Sequence, residues 1–167
     1  MRTEKKRLNW GLLSTARINR ALINPLRVAK RSRLSAVASR DLPRAQQYAA
    51  EHAIPQAYGS YQEMLDDPQI DVIYNPLPNH LHAEWTIRAL EAGKHVLLEK
   101  PFALSVAQVQ SVADAARRTG RVVAEAFMYR HHPQTRKAQE LLREGALGDL
   151  KLVHGVFTAT LSNPDDF

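Results

Sequence analysis

Cysteine is absent from the 167 residues, which excludes a disulfide framework and a thiolate nucleophile. Long apolar runs are also missing: the apolar stretches have the length of strands, and none could span a membrane. The basic start of the chain is not followed by the longer apolar region and small-residue cleavage site of a signal peptide. We therefore expect a protein of the reducing cytoplasm, without a membrane partner.

Acidic residues are scarce in the first quarter of the chain, although the whole chain has 17 Asp and Glu against 23 Lys and Arg. The net charge is +6 at pH 7. A basic surface of this kind can bind nucleic acid, or it can be a solvated face that favours a phosphate-bearing cofactor. No nucleic-acid-binding motif accompanies the charge, so we favour the second interpretation and expect no nucleic-acid partner.

Apolar runs of strand length alternate with helical segments along most of the chain. Strands are predicted at Leu8–Leu13, Leu34–Ala38, near Ala57, and at Val72–Asn75, His95–Leu98 and Val122–Ala126. Helices are predicted from Thr15 to Asn24 (stopped by Pro25), Leu42 to His52 (capped by Asp41), from Ser60 onward, Asn79 to Ala92, and Ser105 to Thr119. This alternation implies parallel strands joined by right-handed crossovers. We predict an α/β fold over residues 1–127, a doubly wound parallel sheet of the Rossmann dinucleotide-binding type.

The pattern changes after Ala126. A helix is predicted at Pro133–Glu144, a turn at Gly145–Asp149, and a long alternating strand at Leu150–Leu161. A lone helix and one strand cannot bury their own apolar faces, and a single strand has unpaired edges. Residues 128–167 are therefore predicted to be the beginning of a second, α+β domain whose remainder is missing.

The segment after the first predicted strand lies where a dinucleotide-binding fold has its phosphate-binding turn. Glycines at that turn permit a tight bend, close approach of a pyrophosphate to backbone N–H groups, and close packing of helix on strand. Here Ser14, Ala16 and Asn19 occupy those positions. Serine and alanine are the next-smallest residues, so a more open turn could still present N–H groups at a helix N-terminus. The segment is either such a turn or an ordinary strand-to-helix connection.

The end of the second predicted strand gives a further indication. An acidic residue about 20 residues after the turn normally binds the ribose 2′-hydroxyl of NAD. This sequence has Ser39 at that position and Arg40 directly after it. A hydroxyl and a guanidinium would bind a 2′-phosphate that a carboxylate would repel. NADP is therefore the expected cofactor and NAD a possible one, unless Arg40 is only a surface residue beside the helix cap Asp41.

Glu99, Lys100 and Pro101 directly follow the predicted strand His95–Leu98. This is the edge of the sheet at which open α/β folds bind ligands. A charged pair at the end of an apolar strand costs free energy unless it is solvated or functional. Lys100 is therefore a candidate ammonium donor that points into the crevice.

The stretch Ala92–Ser105 (AGKHVLLEKPFALS) resembles the signature of the glucose–fructose oxidoreductase / inositol dehydrogenase (Gfo/Idh/MocA) family. Other segments resemble the same family in order and spacing, namely Trp10–Asn19, Tyr74–Val96 and Val122–Phe157. Val37–Leu65 is similar in particular to the NADP-using dihydrodiol and D-xylose dehydrogenase branch. The departure from the family pattern is the phosphate turn, where Ser14 and Ala16 replace the usual glycines.

The resemblance implies cofactor-binding roles for residues of several loops. The pyrophosphate turn would consist of Ser14, Thr15, Ala16, Arg17 and Ile18. The adenosine ribose and its 2′-phosphate would meet Ser39 and Arg40, and the stretch toward the nicotinamide would be lined by Pro76, Leu77, Asn79 and His82. Glu99 would contact the nicotinamide ribose, Lys100 would reach the cofactor and be the catalytic residue at the substrate oxygen, and Arg130 would lie near the nicotinamide. His82 could instead be a partly buried, hydrogen-bonded helical histidine.

The implied activity is hydride transfer between nicotinamide and a CH–OH group of a sugar, cyclitol or dihydrodiol. The acid/base partner of Lys100 is expected downstream of Phe167, in the substrate and dimerisation domain. The 167 residues alone are therefore expected to be inactive, and the full-length parent to be a homo-oligomer. The alternative is a non-catalytic, truncated NADP-binding module. No metal is expected, because the adjacent His131 and His132 diverge and no third ligand is evident.

Overall fold

A computed structural model of the chain describes residues 7–158. The strands are β1 (Leu8–Leu13), β2 (Ser32–Ala38), β3 (Gln56–Tyr58), β4 (Val72–Asn75), β5 (His95–Leu98) and β6 (Val123–Glu125). The helices are α1 (Arg20–Val28), α2 (Leu42–Glu51), α3 (Tyr61–Asp66), α4 (His82–Glu91), α5 (Val106–Thr119) and α6 (Pro133–Arg143). Short 3-10 segments cover Arg17–Asn19, Asn79–Leu81 and Met128–His131. The chain divides into two compact units, with the boundary between Phe127 and Met128.

The six strands of the first unit form one sheet in the order β3-β2-β1-β4-β5-β6. All neighbouring pairs are parallel, so the predicted doubly wound parallel sheet is confirmed. The strand order reverses at β1: the chain first adds β2 and β3 on one side, then crosses back to place β4 on the other side. At such a reversal the loops that leave β1 and β4 diverge and open a crevice at the carboxyl edge of the sheet.

Both faces of the central strands are buried. Neighbouring residues of a strand point to opposite faces, and Leu12 and Leu13 accordingly belong to two different apolar clusters. The same division separates Ile73 from Tyr74 on β4. Helices therefore cover the sheet on both sides, which explains why these strands are continuous apolar runs in the sequence.

The ends of several helices follow from single residues that cap them, of which Asp41 was predicted. The Asp41 carboxylate accepts a hydrogen bond from the Arg44 backbone N–H at 2.7 Å at the start of α2. Ser60 accepts one from the Glu63 N–H at 3.1 Å at the start of α3. Gly120 ends α5 with φ +65°, a conformation that glycine adopts without a steric penalty. The two N-terminal caps fix where the loops after β2 and β3 end at the carboxyl edge, and Gly120 ends α5 at the opposite edge.

The first helix differs from the prediction of Thr15–Asn24. It begins only at Arg20 and continues through Pro25 to Val28. It begins late because Ser14 has φ +80° and Ala16 is extended, so the turn after β1 is not helical. Pro25 removes one hydrogen bond of the helix, but the burial of Ile23 and Leu26 against the sheet holds the last turn in place.

The second unit contains the predicted helix as α6, but not the predicted strand. Residues 150–158 have no regular secondary structure, and residues 159–161 of the predicted strand lie outside the described part of the chain. A strand needs a neighbour for its backbone N–H and C=O groups, and residues 7–158 offer this segment none. Its large apolar side chains are exposed, among them Leu152, Val156 and Phe157.

Within residues 7–158, no helix has the length and apolar character needed to cross a membrane.

Gly11 of β1 lies against α3, and we predict that Gly11→Ala destabilises the first unit. A Cβ atom on Gly11 would be 2.6 Å from the Sδ atom of Met64, whose side chain is fully buried. Overpacking of this kind costs about 1–3 kcal/mol, measured as the free energy of urea-induced unfolding. Gly155→Ala is the matched control, because its Cβ meets no atom within 4 Å. Equal stability of the two variants would contradict the packing of α3 on β1.

Candidate functional site

The crevice at the carboxyl edge of the sheet contains a cavity of about 400 Å³. Six of the predicted cofactor-binding residues line it, namely Ser14, Thr15, Ala16, Ser39, Arg40 and Leu77. The other lining residues are Arg44, Tyr61, Pro78, His80 and Leu81. Of the residues that the structure describes, no Asp or Glu lines this cavity. The guanidinium groups of Arg40 and Arg44 are therefore permanent positive charges with no carboxylate beside them in the lining.

The turn after β1 forms the floor of the cavity. The Ser14 N–H donates a hydrogen bond to the Ala38 carbonyl at 2.8 Å, which ties the turn to the end of β2. Within residues 7–158, the backbone N–H groups of Thr15 and Ala16 have no hydrogen-bond partner. Backbone N–H groups that are free at the entrance to a helix can bind an anion. The turn can therefore receive a phosphate group although it contains no glycine.

The end of β2 supplies the wall next to this turn. The Ser39 N–H donates to the Tyr58 carbonyl at 3.1 Å, and the Ser39 hydroxyl oxygen lies 3.4 Å from the Asp41 N–H, which donates to it. The hydroxyl proton of Ser39 therefore stays free to donate to a ligand. The exposed Arg40 follows directly, so a hydroxyl donor and a guanidinium lie side by side at the cavity.

Arg44 was not predicted as a site residue. Its Nε atom donates a hydrogen bond to the Thr15 hydroxyl at 2.9 Å, which links α2 to the turn after β1. The sequence contains a signal that could have identified it. Asp41 caps α2, so Arg44 lies in the first turn of this helix, close to the loop that precedes it. The cavity consequently has two guanidinium groups instead of one.

Tyr61 is the aromatic member of the cavity wall. Burial raises the pKa of the Tyr61 hydroxyl, while Arg40 and Arg44 act in the opposite direction. The Tyr61 ring packs edge-on against Trp85, with 5.0 Å between the ring centroids. This contact restrains the orientation of the Tyr61 ring. The cavity thus combines two fixed cations with an apolar surface, formed by Tyr61 together with Leu77 and Leu81.

The Glu99-Lys100-Pro101 segment leaves β5 at the same edge of the sheet. The carboxylate of the buried Glu99 accepts a hydrogen bond from the Tyr74 hydroxyl at 2.6 Å and one from the Lys100 N–H at 3.2 Å. Burial and the Glu99 carboxylate raise the pKa of Tyr74, which keeps this hydroxyl a donor. The Lys100–Pro101 peptide bond is cis, and Lys100 itself is exposed. The hydrogen bond to Glu99 holds the backbone N–H of Lys100, while the exposed ammonium group can meet a ligand.

His82 does not line this cavity, and its predicted contact with the cofactor stays a prediction. Its imidazole is 1% exposed, with Nδ1 2.7 Å from the Pro101 carbonyl oxygen and Nε2 2.7 Å from the Leu77 carbonyl oxygen. Both ring nitrogens therefore face backbone carbonyl oxygens of the protein, which only accept hydrogen bonds. This geometry agrees with the alternative of a buried, hydrogen-bonded histidine, which joins the Leu77 loop to the Pro101 loop.

The remaining predicted residues lie outside the cavity lining. Arg17 and Ile18 are exposed on the 3-10 segment after the turn, and Pro76 and Asn79 flank the lining residues Leu77 and Pro78. Arg130 is exposed in the second unit. Across residues 7–158 no three His, Cys, Asp or Glu side chains are grouped so that they could hold a metal ion.

Residues 8–127 match the GFO_IDH_MocA oxidoreductase family, which is described by its NAD-binding Rossmann fold. The D-xylose 1-dehydrogenase (NADP(+)) 2 of Haloferax volcanii is 44% identical over 133 residues, covering 80% of this chain and 41% of that protein. The trans-1,2-dihydrobenzene-1,2-diol dehydrogenase of Danio rerio is 38% identical over 156 residues, covering 92% of this chain and 47% of that protein.

A solved structure of another oxidoreductase is also similar to this chain. The crystal structure of a 3-ketoreductase from Actinomadura kijaniata, in complex with TDP-benzene and NADP, superposes with a TM-score of 0.78 and 35% sequence identity. The superposition covers 84% of this chain and 44% of that chain. The 167 residues therefore span less than half the length of each of these three proteins.

Proposed function

Because the chain belongs to the GFO_IDH_MocA oxidoreductase family, we propose that it is the NADP-binding part of a dehydrogenase that acts on a CH–OH group. The observation that carries this proposal is the cavity in which the turn after β1 meets Ser39, Arg40 and Arg44 without a carboxylate. The substrate would be a sugar, cyclitol or dihydrodiol. Relatives named for D-xylose and for a benzene dihydrodiol support this class, since both of these substrates carry hydroxyl groups on adjacent carbons.

The cavity fits the adenosine end of NADP. The free N–H groups of Thr15 and Ala16 would bind the pyrophosphate. A 2′-phosphate would receive a hydrogen bond from Ser39 and charge-assisted hydrogen bonds from Arg40 and Arg44. Farther along the crevice, we propose that the cofactor is lined by Arg17, Ile18, Pro76, Asn79 and, near the nicotinamide, Glu99 and Arg130.

Lys100 would act on the substrate. When bound, the nicotinamide supplies the hydride acceptor or donor for the reaction. The Lys100 ammonium group would donate a hydrogen bond to the substrate oxygen and stabilise the negative charge that this oxygen gains in the transition state. The contacts of Glu99 and Pro101 with Tyr74 and His82 support this role, since they fix the backbone on both sides of Lys100.

We further propose that residues 128–167 begin a substrate and dimerisation domain. The described part of this unit has no buried residue, and the compared relatives are more than twice as long as the aligned region. A domain of that length would cover the exposed apolar residues of the second unit, complete the substrate pocket and contribute an acid/base partner for Lys100. It would also exclude water from the reacting atoms.

We predict that the chain binds NADPH more tightly than NADH, and that the double variant Ser39→Asp/Arg40→Ala reverses this preference. Each hydrogen bond to a charged group contributes about 1.5–3 kcal/mol, or roughly tenfold to a hundredfold in affinity. Dissociation constants from the fluorescence of the reduced nicotinamide provide the measurement. Arg118→Ala on α5 is the matched control, because it also removes one exposed guanidinium but lies outside the cavity lining. Equal binding of the two cofactors by the unmodified chain would refute the assignment.

A separate prediction concerns the role of Lys100 in the reaction. In the longest natural polypeptide that contains this chain, Lys100→Ala should lower kcat roughly a hundredfold to a thousandfold, since a donor that acts mainly in the transition state contributes about 2.7–4 kcal/mol. The dissociation constant of NADPH, measured in parallel, should change little. Lys30→Ala, an exposed lysine at the other end of α1 from the turn, should leave both values unchanged. A Lys100→Ala variant that keeps its rate would make Lys100 only a residue at the end of a strand.

A further inference from the structure

The turn after β1 has an unusual backbone conformation for its sequence. Ser14 has φ +80°, in the left-handed region where a side chain is disfavoured and glycine is not. The only other non-glycine residue with positive φ in the described part of the chain is Ala53. Something in the surrounding structure must therefore hold Ser14 in this conformation.

Asn19 provides that restraint. Its side chain is completely buried, and its Nδ2 atom donates a hydrogen bond to the Ser14 carbonyl at 2.8 Å. Its backbone N–H donates to the Ala16 carbonyl at 3.1 Å. Together with the bond from the Ser14 N–H to the Ala38 carbonyl, these contacts hold the turn at both ends of the segment Ser14–Ala16.

The amide oxygen of Asn19 indicates that this side chain is not present only to fill space in the core. Its Oδ1 atom is buried and accepts no hydrogen bond within residues 7–158, although the side chain also faces the hydroxyl of Tyr48, whose pKa burial raises and Asn19 acts to lower. An unpaired buried oxygen lowers stability, and an apolar side chain of similar size would not have this disadvantage. The contribution that an apolar residue could not make is the hydrogen bond from Nδ2 to Ser14.

We propose that Asn19 is a positioning residue for anion binding, which does the work of the glycines that this phosphate turn lacks. By holding the Ser14 carbonyl, it keeps the free N–H groups of Thr15 and Ala16 directed into the cavity. The proposal rests on the proposed NADP-binding function and adds to it the residue that shapes the pyrophosphate subsite.

The test is a double-mutant cycle on the 167-residue chain, with the dissociation constant of NADPH and the urea midpoint measured for each variant. Asn19→Ala should weaken NADPH binding about tenfold, because the turn loses its restraint. Ser14→Gly should bind at least as tightly as the unmodified chain. Since glycine reaches φ +80° unaided, Ser14→Gly should restore most of the affinity that Asn19→Ala loses. This rescue distinguishes positioning from a general loss of stability.

Asn9→Ala is the matched control. Asn9 is also buried, and its Nδ2 atom also donates to a backbone carbonyl, that of Gln69 at 2.6 Å, but it lies at the opposite end of β1. This variant should lower the urea midpoint and leave the dissociation constant of NADPH within about twofold of the original value, since it leaves the turn intact.

Two outcomes overturn the proposal alone: Asn19→Ala binds NADPH as well as the unmodified chain does, or Ser14→Gly fails to restore the affinity. An unmodified chain that does not bind NADPH refutes the proposed function, and this inference with it. Should Asn19→Ala not fold, the Ser14→Gly/Asn19→Ala variant is still expected to fold and to bind NADPH. Failure of that variant, beside a folded Ser14→Gly chain that binds, also overturns the proposal.

Discussion

The parallel pairing of β1 with β2 on one side and with β4 on the other is the constraint on which the site depends. Because all three strands point the same way, their carboxyl ends meet at one edge of the sheet. The chain reverses direction of growth at β1, so the loops after these strands separate and leave a crevice between them. Every residue of the cavity comes from this edge, and the two buried faces of the sheet keep the edge rigid.

Much of the fold follows from the sequence, since buried parallel strands are short apolar runs with polar residues at each end. The bounds of β1, β4 and β5 agree with the prediction for this reason. The first helix was misplaced because two opposing effects cannot be weighed from sequence alone: the backbone of Ser14 delays its start, and packing against the sheet carries it past Pro25. The strand predicted from Leu150 onward was wrong over its described part, because alternation of side chains does not supply a neighbouring strand.

The candidate site was predictable where a residue directly follows a strand, as Ser39 does. Arg44 and Tyr61 were not found, because they lie in the first turns of α2 and α3, which begin at the same edge, and whether they face the cavity depends on how these helices pack. His82 has the sequence position of a ligand-contacting residue, yet its ring is held inward by two carbonyl oxygens. A buried polar side chain turns toward the hydrogen-bond partners that are available around it. A single sequence does not show which groups those are.

We propose that the cavity recognises the 2′-phosphate of an adenine nucleotide through Ser39, Arg40 and Arg44. The most direct measurement is calorimetric titration of the 167-residue chain with 2′,5′-ADP and with 5′-AMP, which differ only in that phosphate. If these three residues bind that phosphate, 2′,5′-ADP should bind at least about tenfold more tightly, and this advantage should shrink as salt is added. Equal affinity for the two nucleotides, or an advantage that persists when Arg40 and Arg44 are both replaced by alanine, would contradict it.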